Sequence, residues 1–377
     1  MKILQLIYES HGSPFGFGGA GVRAYEIYRR LKDRHEIDLL CMRYPGARNG
    51  EHHGLQHIFV GAETRHLGAS VAAYTVKASW FVKRFGARYD VIVENFLPAT
   101  PFFAKLLTDT PVVLQVQGVM QAHALRKFPP YYSAPLYLAE RLYPKLYDNL
   151  LFVSEVTKRR VLGRHRGRIK LCEVIPNGVA KELFREGDEE EDYILFFSRI
   201  DIYTKGLDVL VKAFEELSRQ IPGVVLKLAG FPADDVAALL AALPEDVKRR
   251  VEYLGFVEGR AKMALLSKAK LLVLPSRHES APICLLEAAA CGKPVVVSDI
   301  PELDVVETIG FGLSFPSGSV ERLRERLQIL LTDETLRRRM GAAGRAWAAG
   351  YLWDSIAADF EDVLRKAAHP AEQAVRV

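Results

Sequence analysis

Residues 269–299, "AKLLVLPSRHESAPICLLEAAACGKPVVVSD", predict the fold more directly than any other part of the chain. This stretch opens with an apolar run that is typical of a buried strand and continues through a polar loop into an apolar helical segment. It then returns to a second strand-like run, "PVVVSD". Pro282 suits the first helical position, and Gly292 suits the helix terminus. A strand, a helix and a strand in this order predict a parallel sheet covered by helices.

The same alternation runs through the whole chain. The strand-like runs of the first half are "KILQLIY", "EIDLLCM", "HIFVG", "DVIVENF", "VVLQVQG", "NLLFVS" and "LCEVIPNG". Those of the second half are "YILFFSRI", "VVLKLAG", "VEYLGFV", "AKLLVLPS" and "PVVVSD". Helical patterns between them, such as residues 21–34, 68–88 and 206–220, favour an α/β protein. A length of 377 residues favours two domains.

The acidic stretch "FREGDEEED", residues 184–192, interrupts this alternation and is interpreted as the linker between the domains. The first domain is therefore expected to cover residues 1–183, and the second residues 184–350. In open parallel sheets, ligands bind at the carboxyl ends of the strands. Two such domains are expected to leave a cleft between those ends.

Composition narrows the class of protein. A hydrophobic content of 49% with 26% charged residues is typical of a globular chain, and no run of about 18 apolar residues predicts a membrane span. The start, "MKILQLIYESHG", lacks the pattern of a cleavable signal and fits a strand better. The four scattered cysteines predict reduced thiols in a cytoplasmic protein; they are Cys41, Cys172, Cys284 and Cys291.

The charge is unevenly distributed. Residues 1–180 carry 25 Lys and Arg against 14 Asp and Glu, a balance of +11, whereas residues 181–377 carry 26 against 32, a balance of −6. Segments 68–88 and 125–147 combine aromatic with basic residues, which fits a peripheral contact with anionic lipid headgroups. They fit equally well as helices that pack on a sheet and keep a basic outer face. Nucleic acid is a poor fit, because apolar helical periodicity interrupts the basic residues.

The glycine-rich loop "GFGGAG", residues 16–21, formally matches the dinucleotide fingerprint G-x-G-x-x-G. The loop follows the first strand too distantly, and the second strand ends at Arg43 rather than at an acid. An NADP oxidoreductase is therefore a weak alternative. Glycines before a helix also allow a close backbone contact with a phosphate or a sugar, or a simple tight turn.

Two cations follow the strand "YILFF". Arg199 and Lys205 lie in the loop before a helix that begins near Gly206, where a diphosphate would be bound. The alternative is a pair of solvated surface cations.

Two glutamates follow the strand "LLVLPS". Glu279 is placed at the end of the strand, and Glu287 lies about one and a half turns into the next helix, beside Leu285 and Leu286. A carboxylate accepts two hydrogen bonds and so suits vicinal hydroxyls. The order of groups predicts a sugar at Glu279, a diphosphate at the helix N-terminus and a ribose at Glu287. The alternative is a purely structural pair, one acid at a helix N-terminus and one in a salt bridge.

The chain resembles the retaining glycosyltransferases of the GT-B fold, in particular family four, over nearly its whole length. The matching pieces are "GFGGAGVRAYEI", "LFVSEVTKRR", "VIPNGV", "FFSRIDIYTKGLDVLVKAF", "LKLAG", "VEYLGFV", the stretch 269–299 and "YLWDSIAADF". The resemblance implies an α/β protein with two Rossmann-like domains facing across a cleft. It also implies that the second domain holds most of a nucleotide sugar and that the final segment, 351–377, packs on the first domain.

The resemblance implies these site residues. Arg199 and Lys205 bind the diphosphate, Glu279 the transferred sugar and Glu287 the ribose. The other expected donor contacts are Gly18, Gly19, Gly255, Phe256, Val257, Ala281, Ile283 and Cys284.

One departure from the family concerns the position after the fifth strand, where a histidine is common and this chain has Gln117. Glutamine hydrogen-bonds but does not titrate, so Gln117 is expected to position a substrate. His11 and His123 are the possible substitutes for that histidine.

No D-x-D motif occurs in the chain, so no metal or other cofactor is expected. The expected function is transfer of a hexose from UDP or GDP to an acceptor hydroxyl of a glycan, a lipid-linked sugar or a small molecule. Alternatives are an epimerase of the same fold and a non-catalytic nucleotide-sugar binder. The sequence leaves the nucleobase, the sugar and the acceptor open.

Overall fold

A computed structural model describes residues 1–163, 169–185, 189–232 and 234–369. The chain divides into two compact units. The first unit consists of Met1–Asn177 together with Trp353–Val377, and the second unit of Gly178–Leu352. The chain therefore crosses between units at 177/178, six residues before the position expected from the sequence.

The first unit is built on a sheet that has eight strands among the described residues, in the order β3-β4-β2-β1-β5-β6-β7-β8. All neighbouring strands pair in parallel except β3 with β4. The strands are β1 (Lys2–Leu6), β2 (Glu36–Met42), β3 (Gly50–His52), β4 (Leu55–Val60), β5 (Val91–Asn95), β6 (Val112–Val116), β7 (Asn149–Phe152) and β8 (Leu171–Val174).

The described helices of this unit are α1 (Gly19–Leu31), α2 (Leu67–Phe85), α3 (Ala122–Lys127), α4 (Pro130–Leu142), α5 (Glu155–Leu162) and, at the end of the chain, α14 (Trp353–Ala368). Short 3₁₀ turns occur at Gly86–Arg88, Ala104–Leu106 and Tyr143–Leu146. Helix α2 buries Tyr74, Ala78 and Val82 on one face of the sheet. Helix α14 packs on α1 and on strands β5, β6 and β8.

The second unit has a parallel sheet, six-stranded among the described residues, in the order β11-β10-β9-β12-β13-β14. The strands are β9 (Tyr193–Phe197), β10 (Val225–Ala229), β11 (Val251–Tyr253), β12 (Leu271–Leu274), β13 (Val295–Ser298) and β14 (Gly312–Phe315). Strand β12, which lies near the start of the stretch 269–299, is thus a central strand with all four residues buried, as its apolar run predicts.

The described helices of the second unit lie on both faces of its sheet, as two separate buried clusters show. They are α6 (Leu207–Gln220), α7 (Val236–Ala241), α8 (Glu245–Lys248), α9 (Gly259–Lys268), α10 (Ile283–Ala290), α11 (Val305–Ile309), α12 (Val320–Thr332) and α13 (Glu334–Ala348). Short 3₁₀ turns occur at Lys181–Phe184, Pro301–Leu303 and Ala349–Tyr351. Side chains cap several of these helices, for example Ser319 at α12 and Asp333 at α13.

The acidic stretch 184–192 belongs to the second unit and does not separate the two units. Glu190 pairs with Lys293 at 3.2 Å, and Glu191 pairs with Lys268 at 3.1 Å. Lysines of the same unit therefore hold the run of acids, which is the physical reason why it does not act as the expected linker. Residues 186–188 of that stretch lie outside the described residues.

In the described part of the chain, every helix is too short or too polar to cross a membrane.

Candidate functional site

Three of the expected donor residues of the second unit, Arg199, Lys205 and Glu279, follow the two strands between which the strand order reverses. From β9 the chain proceeds to β10 and β11 on one side, and from β12 it proceeds to β13 and β14 on the other. Ligands of open parallel sheets bind beside the carboxyl ends of the strands at such a reversal. The loops that follow β9 and β12 are neighbours at this edge, and they carry Lys205 and Glu279.

Two glycines allow these loops to approach closely. Gly206 has a φ of +68°, and a Cβ built on it would lie 1.9 Å from the carbonyl oxygen of Pro275, just after β12. Gly230 has a φ of +151°, and its Cβ would lie 1.8 Å from the carbonyl oxygen of Ser198, just after β9. A side chain at either position would push the strand-end loops apart.

Lys205 and Glu279 form an ion pair at the reversal. The Lys205 Nζ donates to Glu279 Oε1 at 2.6 Å, and the side chains are 13% and 5% exposed. The Ser276 hydroxyl donates to the same oxygen at 2.7 Å. A carboxylate this buried requires such donors, so the two residues that the sequence predicted for different parts of a ligand are in direct contact.

Glu287 has a lysine partner of its own. The Lys262 Nζ, on α9, donates to Glu287 Oε1, on α10, at 2.6 Å. Glu287 lies in a buried helix beside Leu285 and Leu286, as expected, and its side chain is 7% exposed. No sequence pattern indicated Lys262, because 25 positions separate the two partners.

Each of these glutamates keeps its second oxygen available. Among the described residues, no donor contacts Oε2 of Glu279 or Oε2 of Glu287. A fully enclosed oxygen without a donor would be a buried unsatisfied atom, and neither of these two oxygens is one. Both oxygens therefore reach solvent. Each carboxylate is thus fixed through one oxygen and can accept a hydroxyl through the other.

Arg277 fastens the loop after β12 to the start of α6. Its guanidinium makes two 2.7 Å hydrogen bonds to the carboxylate of Asp208 and a third, of 2.8 Å, to the carbonyl oxygen of Tyr203. It also lies over the Tyr203 ring, 4.7 Å from its centroid. The Asp208 carboxylate raises the pKa of Arg277, so this clamp stays charged.

Arg199 lies at the same strand end but is less enclosed. Its side chain is 57% exposed and lies 3.5 Å from Asp201. Asp201 is buried, and its carboxylate accepts the backbone N–H of Thr204 at 2.9 Å. The Arg199 head group is therefore free to reorient toward an anion, whereas Lys205 is held.

The segment expected at a nucleobase follows β11. Gly255 adopts a φ of +68°, and its carbonyl oxygen accepts the N–H of Gly230 at 2.8 Å. Phe256 is 48% exposed, while Val257 packs against the core. A half-exposed aromatic ring at the ligand-binding edge of a sheet is available for contact with a flat ligand group.

The remaining expected residues of this unit surround the start of α10. Ala281 precedes the helix, Pro282 caps it, and Ile283 is its first residue. Cys284 is buried, and burial raises the pKa of its thiol. The thiol is therefore held neutral and serves as packing.

Gly18, Gly19 and Gln117 belong to the first unit. Gly18 precedes α1, and Gly19 begins it. The backbone N–H groups of Gly18 and Gly21 donate to Glu9 Oε2 at 2.9 Å and 2.7 Å. The chain's own buried carboxylate therefore occupies the anion position at this helix end, which the sequence analysis did not foresee.

Gln117 directly follows β6, and its amide Nε2 donates to Asn95 Oδ1 at 2.9 Å. Asn95 ends β5, so these two residues lie side by side at a strand edge. Of the possible substitute histidines, His11 stacks on Phe17 with 3.9 Å between ring centroids, and burial lowers its pKa to about 4. His11 is therefore neutral near pH 7. His123 lies in α3.

Sequence reasoning missed five contributors to these sites: Ser276, Arg277, Lys262, Glu9 and Asn95. The first two stand three and two positions before Glu279 in the quoted stretch and could have been considered from the sequence. The others depend on contacts between distant segments, which no local pattern reveals.

Two family models match consecutive parts of the chain. "Glycosyltransferase Family 4" matches residues 17–183, and "Glycosyl transferases group 1" matches residues 180–347. The glycogen synthase of Mycobacterium tuberculosis is 30% identical over 95% of this chain and 92% of its own length. A GDP-mannose-dependent monoacylated alpha-(1-6)-phosphatidylinositol monomannoside mannosyltransferase of Corynebacterium glutamicum is 28% identical over 58% of this chain. The chain spans 50–62% of the length of this and other curated relatives it matches.

Solved structures show the same fold. Sucrose-phosphate synthase of Thermosynechococcus elongatus has a TM-score of 0.79 at 19% identity, over 97% of this chain and 98% of that chain. Anabaena HepE, in complex with UDP-glucose, has a TM-score of 0.76 at 20% identity, over 97% of this chain and 100% of that chain. At these identities the likeness concerns the fold alone, two parallel-sheet α/β units of the GT-B type.

Proposed function

The chain belongs to glycosyltransferase family four, and on this premise we propose that it is a retaining, metal-independent enzyme that moves a hexose from UDP or GDP to an acceptor hydroxyl. Membership makes it a glycosyltransferase. One observation carries the rest of the proposal: a lysine-bound carboxylate at the sheet reversal, Glu279, together with a second lysine-bound carboxylate, Glu287, one helix further on. The proposed acceptors are a cell-envelope glycan, a lipid-linked sugar or a related small molecule.

Each part of the donor has a proposed partner. Glu279 Oε2 accepts hydroxyls of the transferred sugar, and Glu287 accepts those of the ribose. Lys205 and Arg199 neutralise the diphosphate, and their two cations take the place of a metal ion at the leaving group. The segment from Gly255 contacts the base. Relatives support both leaving groups, since one depends on GDP-mannose and a structural neighbour binds UDP-glucose.

Retention of configuration is part of the proposal. The leaving phosphate helps to deprotonate the acceptor on the same face of the sugar. Gln117 then needs only to orient a substrate, and its bond to Asn95 holds its amide in place. Transfer is expected to survive EDTA, because no step uses a divalent cation. Loss of activity in EDTA that Mg²⁺ or Mn²⁺ restores would count against the proposal.

Replacing Glu279 by glutamine separates catalysis from nucleotide binding. Glutamine keeps the shape and the hydrogen bond to Ser276 but removes the charge, so turnover of the sugar donor is expected to fall by about 100-fold. The dissociation constants of UDP and GDP should change little. Donor hydrolysis and isothermal titration measure the two effects without a known acceptor.

The matched control for this variant is Glu252→Gln on β11, where the side chain is exposed. It should change neither quantity. Equal losses of turnover and of nucleotide affinity in the Glu279 variant would contradict the separate roles of sugar and nucleotide residues. Binding of NADPH in place of both nucleotides would overturn the proposal as a whole.

The proposal includes peripheral contact of the first unit with the inner face of a membrane. Helix α2, the 3₁₀ turn Ala104–Leu106 and the turn Tyr143–Leu146 after α4 bury side chains in one cluster on one face of the sheet. We call their outer side the basic apolar face. All exposed large apolar side chains of the first unit's described residues lie on segments 67–88, 103–106 and 122–146, with Trp80 at 58% and Leu138 at 55% exposed.

Charge favours an anionic partner for this face. The cations of segments 67–88, 103–106 and 122–146 are Lys77, Lys83, Arg84, Arg88, Lys105, Arg126, Lys127, Arg141 and Lys145. The single acid on these segments, Glu140, is buried and accepts the backbone N–H groups of Met120 and Gln121. Apolar side chains among cations, without an exposed carboxylate, are the composition that binds an anionic lipid surface.

Vesicle sedimentation tests the membrane contact. The protein is expected to pellet with vesicles that contain phosphatidylglycerol and to stay in solution with pure phosphatidylcholine. Adding salt should weaken this binding. The double variant Arg141→Glu/Lys145→Glu should release the protein, whereas Lys248→Glu, at an exposed lysine of the second unit, should not. Equal supernatant fractions with both kinds of vesicle would refute the contact.

A further inference from the structure

We infer that Lys262 is a positioning residue that presents Glu287 to the ribose and so lets the site distinguish a ribonucleotide from a deoxyribonucleotide. The inference rests on the proposed function, because Glu287 is placed at the ribose there. Lys262 lies on α9, contacts Oε1 of the carboxylate, and acts through Glu287.

The geometry divides the two carboxylate oxygens between two tasks. Oε1 accepts the Lys262 ammonium at 2.6 Å, and Oε2 has no partner among the described residues and reaches solvent. The pair is largely enclosed, with Lys262 24% and Glu287 7% exposed. An enclosed pair loses little of its interaction to solvent screening, in contrast to an ion pair on the surface.

This arrangement prepares the carboxylate for a diol before the ligand arrives. A free glutamate side chain samples several rotamers and loses that freedom when it binds. Lys262 removes this freedom in advance and keeps a charged acceptor among the leucines of α10. This preorganisation strengthens only the hydrogen bonds that ribose hydroxyls donate to Oε2, because the base and the diphosphate have other proposed partners.

Helix packing makes Lys262 replaceable without loss of the fold. Leu265 and Leu266 of α9 lie in the same buried cluster as Leu285 and Leu286 of α10. These contacts fix the two helices relative to each other. A methionine at position 262 keeps the apolar, unbranched part of the side chain and removes the ammonium group together with its hydrogen bond to Glu287.

Lys268 supplies a matched control on the same helix. It is 39% exposed and pairs with Glu191 at 3.1 Å. Lys268→Met therefore removes the same charge and breaks a lysine–glutamate pair made from the same helix, but it leaves Glu287 in contact with Lys262.

The experiment is a titration of the full-length protein with UDP and GDP and with their 2′-deoxy forms. The nucleotide that binds the unmodified chain is then followed in Lys262→Met, Lys262→Arg, Glu287→Gln and Lys268→Met. The unmodified chain is expected to prefer the ribonucleotide by about ten-fold or more, the scale of a hydrogen bond to a charged group. Lys262→Met and Glu287→Gln should bring the ratio close to one, Lys262→Arg should restore most of it, and Lys268→Met should leave it unchanged. With a donor sugar, Lys262→Met should raise KM and leave kcat nearly intact.

The variants separate the role of Lys262 from the ribose contact of Glu287. If Lys262→Met weakens the ribo and deoxy forms equally while Glu287→Gln removes the preference, the inference about Lys262 fails and the proposed site stands. If Glu287→Gln keeps the preference, the proposed ribose contact fails, and the inference fails with it. Thermal unfolding without ligand verifies that every variant is folded.

Discussion

His11 and His57 of the first unit lie in an aromatic cluster that also contains Tyr25, His52 and His53. The His57 Nδ1 hydrogen-bonds to the carbonyl oxygen of Leu55 at 2.8 Å, and its Nε2 contacts the Tyr25 hydroxyl. His11 packs edge-on against the same Tyr25 ring, with 4.4 Å between centroids. Burial lowers the pKa of both imidazoles from 6.5 to about 4.

These shifts predict how the stability of the first unit depends on pH. Between pH 6.5 and about pH 4 the unfolded chain takes up protons that the folded chain does not. The two histidines therefore make their full contribution to the free energy of unfolding above pH 6.5, and this contribution is lost as the pH falls from 6.5 to about 4. Glu94 acts in the opposite sense, because burial raises its pKa to about 7 and its contribution is lost as the pH rises from 4.5 to 7.

Urea unfolding at pH 7.5 and pH 5 checks the histidine contribution. The unmodified chain should lose more stability between these two values than the variant His57→Gln, which keeps hydrogen-bonding groups but does not titrate. Parallel losses in the two proteins would contradict the assignment.

At the scale of residues, the sequence predicted which residues lie at the candidate site better than it predicted which of them are in contact. Arg199, Lys205 and Glu279 follow neighbouring strands, and the topology of a parallel sheet is enough to bring their loops to one edge. The ion pair between Lys205 and Glu279 depends on side-chain reach, which spacing does not encode. Lys262 lay beyond any local argument, because its partner comes from another helix.

At the scale of elements, the loop between β9 and α6 depends on Gly206, because only glycine allows both its φ and its close approach to Pro275. Gly206→Ala is expected to destabilise the second unit by about 2–3 kcal/mol or more, because a methyl group would combine the left-handed φ with a clash against Pro275. Hydrogen exchange of β9 and β12 reports the loss.

Gly223→Ala is the matched control for that substitution. Gly223 has a φ of +87°, but a Cβ there meets no atom within 4 Å. The control should therefore cost only the backbone strain, about 1 kcal/mol. If the two variants lose equal stability, the contact with Pro275 contributes nothing.

Long apolar runs predicted their elements well, and short ones did not. The run "EIDLLCM" is strand β2 from its first to its last residue, and the expected helix 206–220 is found at Leu207–Gln220. Strands β3 and β14 were missed. The first is a strand of three residues without an apolar side chain on a sheet edge. The second begins at Gly312, whose missing Cβ lets the backbone pass close to Val295. Neighbouring strands rather than intrinsic preference create such strands.

At the scale of the whole molecule, each unit has its own core, and a reciprocal pair of substitutions tests this. Phe360 of α14 packs edge-on against Tyr28 in the first unit, and Leu327 of α12 is buried in the second. Phe360→Ala should speed hydrogen exchange in β5 and β6, at a cost of about 3–5 kcal/mol. Leu327→Ala should do so in β9 and β10, at a cost of about 2–5 kcal/mol. Exchange that rises in both units for either variant would show one cooperative core instead of two.

The sequence predicted two units but displaced their border. The acidic run looked like a linker because charged residues without apolar neighbours are typical of exposed connections. Its partners, Lys268 and Lys293, come from segments about 80 to 100 residues away, and only the folded chain brings them to it. The border at 177/178 carries no such signal, since "IPNGV" reads as an ordinary strand end.

The return of α14 to the first unit has a consequence for synthesis on the ribosome. All of the second unit leaves the exit tunnel before Trp353, Phe360 and Leu364 do, so the apolar surface that α14 covers beside β5, β6 and β8 stays open throughout that time. The first unit, although its first 177 residues are made first, therefore finishes last, because α14 follows the whole second unit in the chain. Until α14 docks, a chaperone can bind the apolar surface that this helix covers.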